Sequence, residues 1–251
     1  MLTEVSRDDF LNELWDWRPG EHAVIVSPTG GGKSWLMWQL LEQSMAHHPQ
    51  VRPVTMMPKP SDATTTEWSA KLGLRETPEW PPRPKLFRAK PPGYVLWPPH
   101  PRNLDADQRH EAVGAELRRG MDSQFWTPNT LTLVDDAHSA GTMYGLNGPI
   151  EEHLVNGRSN RSAIWLASQK PSGTLVSGGI TSYAWSSASH LFIGKSPADA
   201  DIKKYGEIAG IDPRLVENTV RDLRTYSVGG ENITEWLYVS KRGPHACLVG
   251  P

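Results

Sequence analysis

Cysteine is almost missing from this chain. Cys247 stands alone among 251 residues, so neither an internal disulfide framework nor a multi-cysteine zinc module can be built, and a reducing compartment is expected. Net charge is also lacking. The 26 Lys and Arg residues against 28 Asp and Glu leave −2 at pH 7. That excludes a strongly basic nucleic-acid coat protein, and any contact with DNA or RNA must come from a local patch. Long apolar runs are absent: none approaches the ~20 residues of a membrane span, and the N-terminus lacks the apolar core of a secretory signal. A soluble protein of the cytoplasm is expected.

Glycine and proline are plentiful, 22 of each, but follow no period, which excludes a collagen-like chain. Hydrophobic residues make up only 37%, yet eleven tryptophans supply large burial area, so the profile is that of a folded protein. The length suits one large domain or two small ones, and we read it as one.

Apolar spacing of three to four predicts a short helix over 7–17. His22–Val26 reads as a buried strand, Lys33–Met45 as a helix and Val54–Met57 as a second strand. Residues 58–104 differ in character. Nine prolines fall between Pro78 and Pro101, leaving room only for a short strand over Tyr94–Trp97. Arg83, Lys85, Arg88, Lys90 and Arg102 alternate with Trp80, Phe87, Tyr94 and Trp97. Two readings are open: an irregular surface insertion of stiff extended segments, or a basic–aromatic surface for nucleic acid. Beyond it, Asp105 caps a helix that closes at Gly120. Thr130–Val134 is a strand, 140–149 a glycine-rich mobile loop, Ile150–Asn156 a helix, and Ala163–Ala167 and His190–Gly194 strands. Asp199–Ala209 and Pro213–Leu223 are helices. Trp236–Ser240 and Ala246–Val249 form a closing antiparallel pair. Strands alternating with helices predict an α/β fold with a mostly parallel sheet flanked by helices.

Between the first buried strand and its helix lies Ser27-Pro-Thr-Gly-Gly-Gly-Lys33-Ser34. A polyphosphate needs backbone N–H groups turned inward, and glycines permit that turn, while the helix adds its positive dipole end. The stretch matches the phosphate-binding loop GxxxxGK[ST] except that Ser27 stands at the first glycine. Thr29, Gly30, Gly31, Gly32, Lys33, Ser34 and Trp35 are therefore nucleotide-binding candidates. Lys33 would bridge the β- and γ-phosphates of ATP, and Ser34 would hold Mg²⁺. Trp35 and Trp38 are expected to pack against the sheet.

The strand at Thr130–Val134 ends in Asp135-Asp136. Adjacent carboxylates at the end of a buried strand are costly unless something uses them. Alone, such a pair could simply cap the following helix. With a phosphate loop about 100 residues upstream it reads as a Walker B element, in which Asp135 takes Mg²⁺ and Asp136 activates the attacking water. His138 reads as a surface or supporting residue rather than a catalyst.

A third stretch, Gly157-Arg158-Ser-Asn-Arg161-Ser-Ala-Ile-Trp-Leu-Ala-Ser168-Gln169-Lys170-Pro171, places a glutamine where it leaves a buried strand. Taken with the other two motifs, it resembles the GR…ATQRP segment of the FtsK–HerA superfamily of ring-forming, DNA-pumping P-loop ATPases. The resemblance runs from about residue 20 to residue 210. It implies a RecA-like core in which the sensor strand lies between the phosphate-loop strand and the acidic strand. Gln169 then matches the sensor glutamine, and Arg158 the arginine that such rings present to a neighbouring subunit's nucleotide, with Arg161 as runner-up. Asp136 departs from the Glu usual in the family, and Ser27 departs at the loop.

The resemblance implies an ATP-hydrolysing translocase working as a pentameric or hexameric ring on double-stranded DNA. The chain's size suits viral genome packaging, alongside a portal or capsid component, with conjugation or plasmid transfer also open. The protein would act in the host cytoplasm or on the virion. DNA would be met by loops at 140–149 and 171–182 or by the basic–aromatic insertion. Two other classes stay open: a small-molecule kinase, which shares the phosphate loop, and an ATP-binding assembly scaffold that uses its tryptophans at an interface.

Overall fold

Short β-branched and apolar runs bounded by turn residues build the centre of the molecule. The computed structural model describes residues 2–84, 89–171, 182–228, 231–243 and 245–250. Its strands are β1 (Thr3–Val5), β2 (His22–Val26), β3 (Arg52–Met56), β4 (Arg75–Thr77), β5 (Tyr94–Leu96), β6 (Thr130–Val134), β7 (Ser162–Ser168), β8 (Ala188–Ile193), β9 (Thr225–Val228), β10 (Glu231–Thr234), β11 (Trp236–Ser240) and β12 (His245–Val249). The helices are α1 (Arg7–Asp9), α2 (Lys33–His47), α3 (Ala63–Lys71), α4 (Ala106–Phe125), α5 (Ala137–Thr142), α6 (Asn147–Asn156), α7 (Ser182–Ser187), α8 (Asp199–Ile208) and α9 (Pro213–Asp222).

Ten strands form one sheet in the order β1-β12-β11-β8-β2-β7-β6-β3-β5-β4, with β9 and β10 pairing separately. From β8 through β4 all neighbours are parallel. β11 is antiparallel to both β8 and β12, so the expected closing pair is present. This is a P-loop NTPase fold, and β7 does lie between β2 and β6.

Strand alternation divides the core into two layers. Val24, Val26, Ile164 and Leu166 face one cluster, which α4, α6, α8 and α9 cover. Ala23, Ile25, Ala163 and Trp165 face the other, covered by α2 and the N-terminal arm. Among the described residues, no helix is long and apolar enough to cross a membrane.

Several expectations fail. The 7–17 helix is only α1 followed by a π-helical turn, Phe10–Leu14; Trp15 and Trp17 leave it to plug the core. Gly120 does not close α4. It lies inside the helix, where an added Cβ would come within 2.5 Å of Leu96, so the glycine lets the helix approach the sheet. The expected mobile loop at 140–149 is largely helical, split between α5 and α6. Tyr144 and Leu146 are buried there, and Gly145 makes the turn at φ +66°. Between Pro78 and Pro101 the expected short strand is present as β5, but the 58–104 segment is not merely irregular, since α3 and β4 precede β5 within it. Asp62 caps α3, accepting from Thr65 N at 2.8 Å, and β4 joins β5 at the sheet edge. Its described aromatics turn inward: Trp80 is buried, Tyr94 meets it edge-on at 5.7 Å, and Trp97 Nε1 donates to the Lys59 carbonyl at 2.7 Å. Lys85, Phe87 and Arg88 lie outside the described residues.

Candidate nucleotide-binding site

Parallel strands deliver their carboxyl ends to one edge of the sheet, where open α/β folds bind ligands. Val26 of β2 stands beside Ser168 of β7, and Val134 of β6 beside Leu166. The loop after β2 is thereby flanked by the residues that follow β7 and β6.

That loop turns on Gly30 at φ +78° and Gly32 at φ +79°, values in the left-handed region that favours glycine. Gly32 then caps α2. Ser27, the departure from the motif, is buried beneath the turn. Its side chain fills space that two glycines leave, since a Cβ on Gly31 would lie 2.0 Å from Ser27 Oγ and one on Gly194 2.6 Å from it. Lys33 Nζ donates to the carbonyls of Ser27 at 2.7 Å and Pro28 at 3.0 Å, so the lysine lies across the loop. Burial lowers its pKa, opposed by the carboxylates of Asp135 and Asp136.

Ser34 Oγ donates to Asp135, 2.7 Å from Oδ1 and 2.9 Å from Oδ2. A hydroxyl and a buried carboxylate facing each other are hard oxygen donors of the kind that hold Mg²⁺ together with phosphate oxygens and water. Among the described residues no group of three or more His, Cys, Asp or Glu is placed to hold a metal ion, so a dedicated all-protein cage is not what this site offers. Burial pushes the Asp135 carboxyl above its ordinary range; Lys59 and Ser34 only partly offset it.

Asp136 is the N-cap of α5. It accepts from Ser139 N at 3.0 Å and from Ser139 Oγ at 2.8 Å. The acidic pair therefore divides its work, one carboxylate facing the loop and the other holding the next helix. Gln169 is exposed directly after β7, next to Ser168, whose carbonyl accepts from Ser27 N at 3.2 Å.

Arg158 is not part of this cluster. It sits exposed in a 3₁₀ turn, Gly157–Asn160, before β7 begins. The seven residues of β7, at about 3.3 Å each, put roughly 20 Å between it and Gln169. Arg161 lies at the same end, exposed and in the left-handed region at φ +54°. Trp35 also departs from expectation. Trp38 is buried, but Trp35 keeps 40% of its surface exposed, because at its position on α2 it faces α3 edge-on to Trp68, 6.0 Å away.

Two participants were missed from the sequence. Lys59 Nζ lies 3.4 Å from both Asp135 Oδ2 and Asp62 Oδ2. Burial works against its charge, but the two carboxylates outweigh that and raise its pKa. Both residues follow β3, and only the pairing of β3 with β6 brings them to Asp135. The sole advance signal was a cap-like Asp62 before a threonine run.

Neither family models nor curated proteins match the sequence; solved structures do. The genome packaging NTPase B204 from Sulfolobus turreted icosahedral virus 2, in complex with AMP, superposes at TM-score 0.59 and 12% identity, covering 94% of this chain and 99% of that one. VirB4 of Thermoanaerobacter pseudethanolicus gives 0.62 at 10% identity, with 95% and 92% covered. The cytoplasmic domain of the Thermomonospora curvata type VII secretion ATPase EccC gives 0.55 at 14%, covering 92% of this chain and 25% of that one. By architecture, then, this chain has a P-loop NTPase fold, similar to that of a viral genome packaging NTPase and of a secretion ATPase.

Proposed function

We propose that this protein is an ATP-hydrolysing motor that acts as a homo-oligomeric ring on double-stranded DNA, with viral genome packaging as its task. The observation that carries the reading is the meeting of Ser34 and Asp135 at 2.7 Å beside a glycine loop spanned by Lys33. The structural neighbours, among them a genome packaging NTPase in complex with ATP analogues and a DNA-packaging ATPase, support the choice of ATP and of DNA.

In this mechanism the loop amides and Lys33 cradle the β- and γ-phosphates. Ser34 and Asp135 would hold Mg²⁺, whose charge would neutralise developing charge on the phosphate oxygens. Lys33 leaves the loop carbonyls for phosphate, as a flexible ammonium can. Asp136, held in place by Ser139, accepts the proton of the attacking water. Gln169, at the same edge of the sheet, orients that water. Arg158 is too far along β7 to reach the nucleotide of its own chain. A second copy would present it, and the exposed Trp126 nearby, joined to that turn through Asn160 Nδ2 and the Phe125 carbonyl at 3.3 Å, gives the same end an apolar anchor. DNA contact is assigned to the 171–182 segment, of which 172–181 lie outside the described residues, and to the cations of the 58–104 segment. The host cytoplasm or the virion is the place of action, with a portal or capsid component as partner.

The decisive experiment is ATP turnover with and without duplex DNA over a salt series. Stimulation by DNA that fades as salt rises is expected, because a few Lys and Arg contacts to phosphate release counterions. Turnover indifferent to both DNA and salt would overturn the motor reading.

A further inference from the structure

The two ends of the parallel sheet carry surfaces that complement each other. At the end where β6 and β7 begin, Trp126 keeps 75% of its surface exposed and Val155 54%. Beside them Arg52 N donates to the Asn129 carbonyl at 3.0 Å, Asn129 N to the Arg161 carbonyl at 3.1 Å and Arg161 N to the Arg158 carbonyl at 3.1 Å. This chain of backbone bonds lays three exposed arginines along one edge. Among the described residues none of the three forms an ion pair. An exposed indole flanked by unpaired arginines has the composition of an interface centre.

At the opposite end, α4 and the turn between α5 and α6 enclose a groove of about 600 Å³. Gly114 lets the two walls meet, since a Cβ there would come within 2.4 Å of the Tyr144 carbonyl. Ala115 and Met143 line the groove, and Met143 is 46% exposed; a thioether is a favourable partner for an aromatic ring. Asp107 and Glu111 stand one turn and two turns before Ala115 on the same face of α4, exposed and outside any ion pair among the described residues. The groove's own cation, Arg118, is tied to the Gly145 carbonyl at 2.9 Å. Only α5, six residues long and so about 9 Å, separates the groove from Asp136.

We propose that Trp126 of one copy seats in this groove of the next, head to tail, with Arg52 and Arg161 over the acidic lip of Asp107 and Glu111. The inference rests on the ring reading above and deepens it by naming both faces of the contact. Donor and acceptor lie at opposite ends of the sheet, so a two-fold axis cannot join them. Each docking leaves one face of each kind open, and assembly continues until a ring closes. The Phe125 carbonyl, next to Trp126, accepts from Asn160 Nδ2, so seating the indole also carries the Arg158 turn towards the neighbour's Asp136.

Cysteine crosslinking in the full chain tests it. Cys247 is buried, so the thiols open to a short bismaleimide are those introduced at Thr127, next to Trp126, and at Ala115, in the groove, both exposed. Thr127→Cys mixed with Ala115→Cys should give a covalent pair, and neither alone should. A chain carrying both should give a ladder of three copies and more. Light scattering of the unmodified protein with Mg²⁺, ATP and duplex DNA reports association itself. Trp126→Ala should weaken that association at least about tenfold without moving the denaturant midpoint, and added salt should weaken it by screening the lip. Association without a pair between positions 127 and 115, self-pairing of Thr127→Cys, or full association of Trp126→Ala overturns the docking and leaves the ring reading standing. Unmodified protein that stays monomeric under all these conditions overturns both.

Discussion

Ser34 Oγ lies 2.7 Å from Asp135 Oδ1, although 101 residues separate them in the chain. The contact exists because β2 and β6 both flank β7 and all three point the same way. It sets a buried carboxylate, 6% exposed as a residue, where Ser34 and the cations of Lys59 and Lys33 offset its charge only in part.

That placement has a stability consequence. Burial raises the Asp135 pKa in the fold, so the folded chain holds a proton that the unfolded chain releases. Its contribution is therefore fully present below the ordinary carboxylate range and is lost as pH rises through the folded value. Asp135→Asn should stabilise the nucleotide-free protein at pH 7 by about 1 kcal/mol, because burial makes the charged carboxylate less favourable in the fold than in the unfolded chain, and should abolish Mg²⁺-dependent ATP hydrolysis. Urea melts beside turnover measurements check both halves. A variant less stable than wild type would show that Asp135 is well compensated in the fold.

Histidines work in the opposite direction. Burial depresses both His22 and His153 to about 4, well below the ordinary value near 6.5. The unfolded chain then binds protons that the folded chain refuses, so stability present above about pH 6.5 is lost as pH falls towards 4. His153 Nδ1 meets the Pro149 carbonyl at 3.0 Å, and Nε2 is buried without a partner. His153→Leu should flatten the slope of unfolding free energy between pH 4.5 and 6.5 by about one proton. Denaturant melts across that window would show an unchanged slope if the histidine were already protonated in the fold.

Ser27 and the glycines around it are a coupled set. Adding a methyl group at Gly31 meets Ser27 Oγ at 2.0 Å and Cβ at 2.9 Å, with the Pro28 carbonyl at 3.0 Å. Gly31→Ala should destabilise the protein by about 1–3 kcal/mol, the usual scale of overpacking. Ser27→Gly should relieve most of that loss in the double variant. Chemical denaturation of the four proteins gives the coupling energy, and simple additivity would mean that Ser27 is not what fills the space beneath the loop.

How much of this was readable in advance follows from where the information sits. β2, β6 and β7 are buried on both faces, so each is a short apolar run closed by turn or polar residues, and the glycine cluster after β2 announces itself. The candidate residues at the ends of those strands could be picked out for the same reason. α3 was not, because Ala-Thr-Thr-Thr-Glu-Trp has poor intrinsic helix propensity and depends on Asp62 and on Trp68 stacked over Trp38 at 6.5 Å. Nor was β1, three largely exposed residues whose pairing with β12 is a tertiary event. Gly120 looked like a helix end because a glycine needed for close packing and a glycine needed for a stop are the same letter. Lys59 reaches its place only through sheet order, which local pattern does not encode.

Arg158 supplies the sharpest test of assembly. Its position before β7, roughly 20 Å along the strand from Gln169, separates it from the phosphate loop of its own chain. Arg158→Ala should therefore bind ATP like wild type but lose on the order of 10³–10⁵ in turnover, the range measured for trans-acting arginines. Lys33→Ala should lose turnover through the loop instead. Mixed in one solution, the two inactive variants should recover part of the wild-type rate, since a Lys33→Ala subunit brings an intact Arg158 to the intact loop of an Arg158→Ala neighbour. Recovery should grow with protein concentration as mixed assemblies form. A mixture that stays inactive while light scattering shows the copies associated would place the missing arginine elsewhere, and Arg161, at the same end of β7, would be the next residue to replace.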